Sequence, residues 1–159
     1  MEKKICFVYD DIEKPSRIIS GIIGNKRYSE IIYKKVKFIE RLKQTLEKFH
    51  NVQIRFEYLK NWTEIENLKE NLLFEDKEDS EKIYIHFLSS NVVVNEEKFF
   101  IFLEKCKYIN QTMVDNKYNS SIIVFPNIQS YSEYLTKRIL DNNKNILYHI
   151  CYRDFFCYI

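Results

Sequence analysis

From Lys4 to Tyr9 the chain is almost unbroken apolar sequence, and Asp10 and Asp11 close the run. Continuous hydrophobicity suits a strand buried on both faces, and the two acids mark its exit into a loop. The stretch that follows, to Tyr28, holds Pro15 and the chain's only glycines, Gly21 and Gly24, which predicts a long loop. Between Val36 and Phe49 the apolar residues Phe38, Ile39, Leu42, Leu46 and Phe49 recur at helical spacing. Val52, Ile54, Phe56 and Tyr58 then alternate with polar residues as a half-buried strand does.

The same reading continues to the end of the chain. Trp62 to Phe74 reads as a helix with Asn61 as its N-cap, and Glu75 to Glu81, with no apolar member, reads as a solvated loop. Ile83–Leu88 is a second strongly apolar strand, and Val92–Val94 extends briefly. Asn95 opens a helix whose apolar face is Phe99, Phe100, Phe102, Leu103 and Cys106. Ser121–Phe125 reads as a strand closed by Pro126, Ser130 as the cap of a helix through Leu140, and Ile146–Cys151 as a last strand before a helix start at Tyr152. Alternating strands and helices, with no repeat or linker, predict one α/β domain over residues 1–159, its mostly parallel sheet covered by helices on both faces.

Length and composition agree with a single buried core: 159 residues, 45% hydrophobic and 16% aromatic, argue against disorder. The absence of alanine and the weight of Lys, Asn, Ile, Tyr and Phe point to an AT-rich bacterial genome. No run reaches the length of a membrane span, and the start of the chain leads into a strand pattern, so the expected location is the cytoplasm. The four cysteines, Cys6, Cys106, Cys151 and Cys157, include no C-x-x-C pair and read as buried free thiols.

The net charge of +2 conceals an asymmetry. Basic residues outnumber acidic ones 14 to 8 in residues 1–60, and acidic residues lead 15 to 11 thereafter. Between Lys14 and Lys37, the cations Lys14, Arg17, Lys26, Arg27, Lys34, Lys35 and Lys37 face one acid, Glu30. Such a cluster favours an anionic partner. Gly21 and Gly24 beside Lys26 and Arg27 could cradle a phosphate on freed backbone N–H groups. Asp10 and Asp11, at the carboxyl end of a strand, could hold a divalent metal or orient a ribose, or bond their own loop. His50, His86 and His149 are too scattered for a metal site, and His86 and His149 read as core histidines. Near-neutral net charge and core-like aromatic spacing argue against nucleic-acid binding.

Three segments carry a resemblance: Ile5–Asp11 as first strand, Gly24–Lys34 before a long helix, and His86–Asn95 before another. In order and texture the chain resembles the N-terminal part of divergent bacterial sugar-phosphate nucleotidyltransferase-like domains of capsule biosynthesis proteins. That resemblance implies a three-layer, Rossmann-like nucleotide-diphospho-sugar transferase fold and Mg²⁺-assisted nucleotidyl transfer. Two parts of the family pattern are absent. Asp10–Lys14 lacks the glycine-rich triphosphate loop, and Ser89-Ser90-Asn91 stands where the family has a metal-binding Asp.

The expectation is therefore a degenerate or truncated domain serving surface-polysaccharide synthesis, with a fragment of a longer protein as one form of that expectation. It would bind a nucleotide or sugar phosphate through Asp10, Asp11, Lys14, Arg17, Gly21, Gly24, Lys26 and Arg27, with no catalytic residue or metal ligand assigned and Mg²⁺ only if transfer is retained. The alternative is a non-enzymatic interaction or regulatory module whose basic loop docks an acidic protein or domain. That alternative predicts an exposed apolar patch beside the loop.

Overall fold

Burial divides the first apolar run between two cores. The computed structural model describes residues 4–49, 53–74, 82–88, 96–106, 112–114 and 122–144. In β1 (Lys4–Asp10), Ile5, Phe7 and Tyr9 enter one core while Cys6 and Val8 enter the other. This is why the strand shows no polar alternation: both of its faces are covered. β1 is followed by α1 (Arg17–Ile23), a 3₁₀ turn (Tyr28–Glu30), a short hairpin of β2 (Ile32–Tyr33) and β3 (Val36–Lys37), and α2 (Phe38–Glu47). Then come β4 (Ile54–Leu59), α3 (Trp62–Phe74), β5 (Lys82–Leu88), α4 (Glu96–Cys106), β6 (Met113–Val114), β7 (Ile122–Phe125) and α5 (Ile128–Lys144).

The main sheet has the order β4-β1-β5-β7-β6. β4 and β5 both pair in parallel with β1, β7 runs antiparallel to β5, and β6 antiparallel to β7. Four of the five strands therefore share a direction, and the fold is α/β with a mostly parallel sheet. Ile39, Leu42 and Leu46 of α2 and Phe99, Phe102, Leu103 and Cys106 of α4 pack on one face. Ile65, Leu68 and Leu72 of α3 and Tyr131, Tyr134 and Leu135 of α5 pack on the other. Phe7 lies against Phe56, Phe87 and Phe99 at centroid distances of 5.7, 5.8 and 5.9 Å. Each such fully buried apolar side chain contributes about 1.5–3 kcal/mol.

Local structure departs from the sequence reading in several places, among them the unpredicted strand β6 and the extension of α5 past Leu140 to Lys144. The predicted loop after β1 contains α1, started by Ser16, whose Oγ accepts from Ile19 N, and ended by Gly24 at φ +78°. The helix over 36–49 begins at Phe38, because Val36 and Lys37 pair with Tyr33 and Ile32 in the hairpin. Lys34 and Lys35 turn that hairpin at φ +48° and +68°, the left-handed geometry that matches strand twist and costs a non-glycine residue about 1 kcal/mol. Asn127, rather than Ser130, caps α5: its Oδ1 accepts from Ser130 N at 2.9 Å. Finally, Phe100 points outward from α4 and meets Phe49 edge-on at 5.1 Å instead of joining the buried face.

Cys6 and Cys106 are buried free thiols, and burial pushes the Cys106 thiol up, away from reactivity. Asn61 caps α3 as expected, its Oδ1 accepting from Glu64 N at 2.9 Å. The expected Val92–Val94 extension, the Asn95 cap, the Ile146–Cys151 strand, the segment from Tyr152, the acidic run 75–81, His50, His149, Cys151 and Cys157 lie outside the described residues.

Candidate functional site

Asp10 ends β1 and Asp11 follows it, their side chains on opposite faces of the sheet, and each gathers its own polar cluster. On the α3/α5 face, Val8 is in register with His86 and Asp10 with Leu88, so Asp10 and His86 lie diagonally across two adjacent strands. His86 Nε2 is 2.8 Å from Asp10 Oδ2, and Arg138 of α5 donates from Nε to Oδ2 at 3.0 Å and from Nη2 to Oδ1 at 3.3 Å. Ile12 N adds a bond to Oδ1 at 3.3 Å. His86 Nδ1 meets the Tyr131 hydroxyl at 2.8 Å, and the Arg138 guanidinium lies 4.8 Å from the centre of the Trp62 ring.

Donor and acceptor inventory fixes the protonation of this cluster. An ionised Asp10 only accepts, so His86 Nε2 carries the proton and donates it; the neutral ring then accepts from Tyr131 at Nδ1. Burial of itself raises the Asp10 carboxyl, but the Arg138 charge and the His86 hydrogen bond outweigh it and hold the group well below the usual carboxylate range. Burial lowers the His86 pKa below 6.5 despite its bond to Asp10, and burial raises the Tyr131 phenol. One carboxylate faces one guanidinium, with a neutral imidazole between strand and helix. All four residues are buried.

On the α2 face, Asp11 Oδ2 accepts from Ser29 Oγ at 2.5 Å and from the Tyr58 hydroxyl at 2.7 Å. Burial pushes the Tyr58 phenol up to about 12, with the Asp11 carboxylate adding to the effect. Arg27 Nη1 donates to the backbone oxygen of Asp11 at 2.7 Å and of Lys60 at 3.2 Å. Residues 27–29 are thereby clamped to the ends of β1 and β4. The chain between them and Asp11 forms a loop with closed ends, the form in which a rigid scaffold commonly presents a binding segment.

That loop is an arm with nothing of α1 buried. Ile18 and Ile22 are 80% and 81% exposed, and Lys14, Arg17 and Lys26 are exposed beside them. Gly24 supplies the helix's left-handed end, and Gly21 is an exposed helix residue whose added Cβ would meet nothing. The structure therefore separates the sequence-predicted residues. Asp10 and Asp11 are engaged inside the fold, Arg27 is turned to backbone carbonyls, and Lys14, Arg17, Gly21, Gly24 and Lys26 belong to the arm. Sequence reasoning missed Arg138, Tyr131, Tyr58, Ser29 and Trp62; His86, polar within an apolar strand, was the one visible signal, and it is the satisfied core histidine expected.

Among the described residues, no three His, Cys, Asp or Glu side chains converge as a metal site would require. No helix of the described residues is long and apolar enough to cross a membrane. No family model matches the chain, and no curated protein or solved structure matches it significantly. None of these comparisons identifies a nucleotidyltransferase-like domain.

Proposed function

We propose that this domain is a docking module: a sheet scaffold that holds a basic, isoleucine-bearing arm out to an anionic partner surface. The observation that carries this reading is α1, a helix without a buried residue whose Ile18 and Ile22 stand in solvent. It lies in a stretch from Lys14 to Ser29 that contains Lys14, Arg17, Lys26 and Arg27 and no acid. Monomeric domains rarely leave apolar side chains grouped in this way unless something covers them. The buried Asp11 serves the same end, since with Ser29, Tyr58 and Arg27 it fixes the base of the arm.

The test is binding of a fluorescein-labelled acidic peptide of Glu and Leu, followed by anisotropy. Arg17→Glu/Lys26→Glu should weaken it by about tenfold or more, whereas Lys48→Glu/Lys105→Glu, an equal charge change on α2's end and α4, should have a much smaller effect. Equal losses in the two variants would sink the reading.

A second reading keeps the nucleotidyltransferase resemblance: a Rossmann-like domain of surface-polysaccharide synthesis that binds a nucleotide or sugar phosphate, with Mg²⁺. The parallel order β4-β1-β5 favours it, because open α/β sheets take ligands beyond the carboxyl ends of such strands. Lys14, Arg17 and Lys26 would supply the charge. A Mg²⁺-dependent thermal shift with a single nucleotide, lost in Lys14→Ala/Lys26→Ala, would move the weight to this reading.

A further inference from the structure

Resting on the docking reading, we infer that the partner of the arm is the surface of an anionic lipid bilayer, on which α1 lies as a short interfacial helix. At 100° per residue, Ile18, Ile22, Ile19 and Ile23 fall on one continuous arc of about 140°, as wide as an interfacial helix requires. Ile18 and Ile22 form its outer edge and are the most exposed large apolar residues of the described chain; Ile19 and Ile23 are half-covered. The rest of the helix circumference holds only Arg17, Ser20 and Gly21. At a length of about 10 Å the helix can lie in the headgroup boundary and cannot enter further.

The polar groups of the arm distinguish lipid from protein. Ser20 Oγ donates back to Pro15 O at 3.3 Å, and Ser16 Oγ accepts from Ile19 N at 3.4 Å, so both hydroxyls serve the arm's own backbone. What α1 and its flanks hold outward is mainly isoleucine and cation, beside the exposed amide of Asn25 and, just before Lys14, the exposed acid Glu13. A protein interface needs about one hydrogen bond per 100–200 Å², with groups placed to make them. A bilayer asks only for an apolar stripe and cations at its margins. Lys14 precedes the helix, Arg17 begins it and Lys26 follows it, with no acid among them, which places charge at both ends of the inserted stripe, level with phosphate and carboxylate headgroups.

The experiment is sedimentation of the full chain with phosphatidylcholine vesicles, with and without phosphatidylserine. Binding to the anionic vesicles alone, weakened by added NaCl, is the expected result. Ile18→Ser/Ile22→Ser should reduce the partition coefficient by about tenfold or more, and each of Lys14→Gln, Arg17→Gln and Lys26→Gln by about fivefold. All these side chains are exposed, so an unchanged melting temperature shows that the fold is kept. Binding that ignores the isoleucine substitutions, or that is equal on neutral vesicles, overturns the inference. If vesicles fail while the acidic peptide still binds through Arg17 and Lys26, the partner is a protein and docking stands; if both fail, the docking reading falls too.

Discussion

Asp10 and Asp11 are neighbours in the chain, both carboxylates, both buried, and yet they hold different things. Asp10 is matched by a formal charge: Arg138 lies against it, and His86 and Tyr131 extend the cluster into the α3/α5 layer. Asp11 is met by two hydroxyls, with Arg27 bonded to its backbone, and so ties the arm down on the α2 face. The first cluster joins helices to sheet over a separation of 128 residues; the second spans 18 and 47. The difference teaches that a pair of acids after a first strand, suggestive of a metal or ribose site, can be divided by strand geometry into one anchor for the fold and one for a loop.

The largest expected effect comes from breaking the first anchor. Asp10→Ala leaves the Arg138 guanidinium buried without its carboxylate and should cost about 3–5 kcal/mol in urea denaturation, whereas Asp10→Leu/Arg138→Met, which removes both charges, should cost much less. If single and double variants are equally destabilised, the ion pair is not what holds α5. A smaller loss belongs to the second anchor: Tyr58→Phe and Ser29→Ala should each cost about 1.5 kcal/mol, the range for a hydrogen bond to a charged group. Limited proteolysis sharpens the comparison, because these two changes should speed cleavage between Lys14 and Lys26 before the sheet is affected, while Asp10→Ala should not act selectively there.

A more gradual effect, of up to about 1.4 kcal/mol per pH unit, is a pH dependence that comes from His86 in the Asp10 cluster. The unfolded chain takes up a proton at His86 as pH falls below about 6.5, and the folded chain, holding that ring neutral, does not. The stabilisation is full above that pH and is lost on acidification. Asp10, held below the usual carboxylate range in the fold, adds its own loss once the pH falls below about 3.8, where the unfolded carboxyl takes up its proton. Among the described residues, Arg138, Asp10, Tyr131 and Tyr134 are the ionisable groups packed around the ring. Stability measured by urea between pH 7 and about 5 should therefore slope in the native chain and flatten in His86→Gln; an unaltered slope would assign the titration to another group.

The elements were legible wherever one residue type dominates a local period. β1 and β5 declared themselves by unbroken apolar runs, α2 by helical spacing at Ile39, Leu42 and Leu46, and α3 by its Asn61 cap. The basic character of the arm also came from the residues between Lys14 and Lys37, while an apolar patch beside it was expected only as a consequence of the docking alternative. α1 was hidden because Gly21 within it and Gly24 after it read as loop, and the helix is held by Ser16 and Gly24 rather than by a buried face.

Sequence alone thus determined the alternation of strands and helices, the two-sided burial of the first strand and the local excess of positive charge, because each is a property of neighbouring residues. Only the tertiary structure decided that Asp10 meets Arg138, that Asp11 meets Ser29 and Tyr58, and that Ile18 and Ile22 remain in solvent. The physical reason is distance along the chain. A carboxylate is worth a metal, a ribose or a guanidinium according to which donors the sheet and helices bring to it, and no local pattern records donors contributed by remote elements.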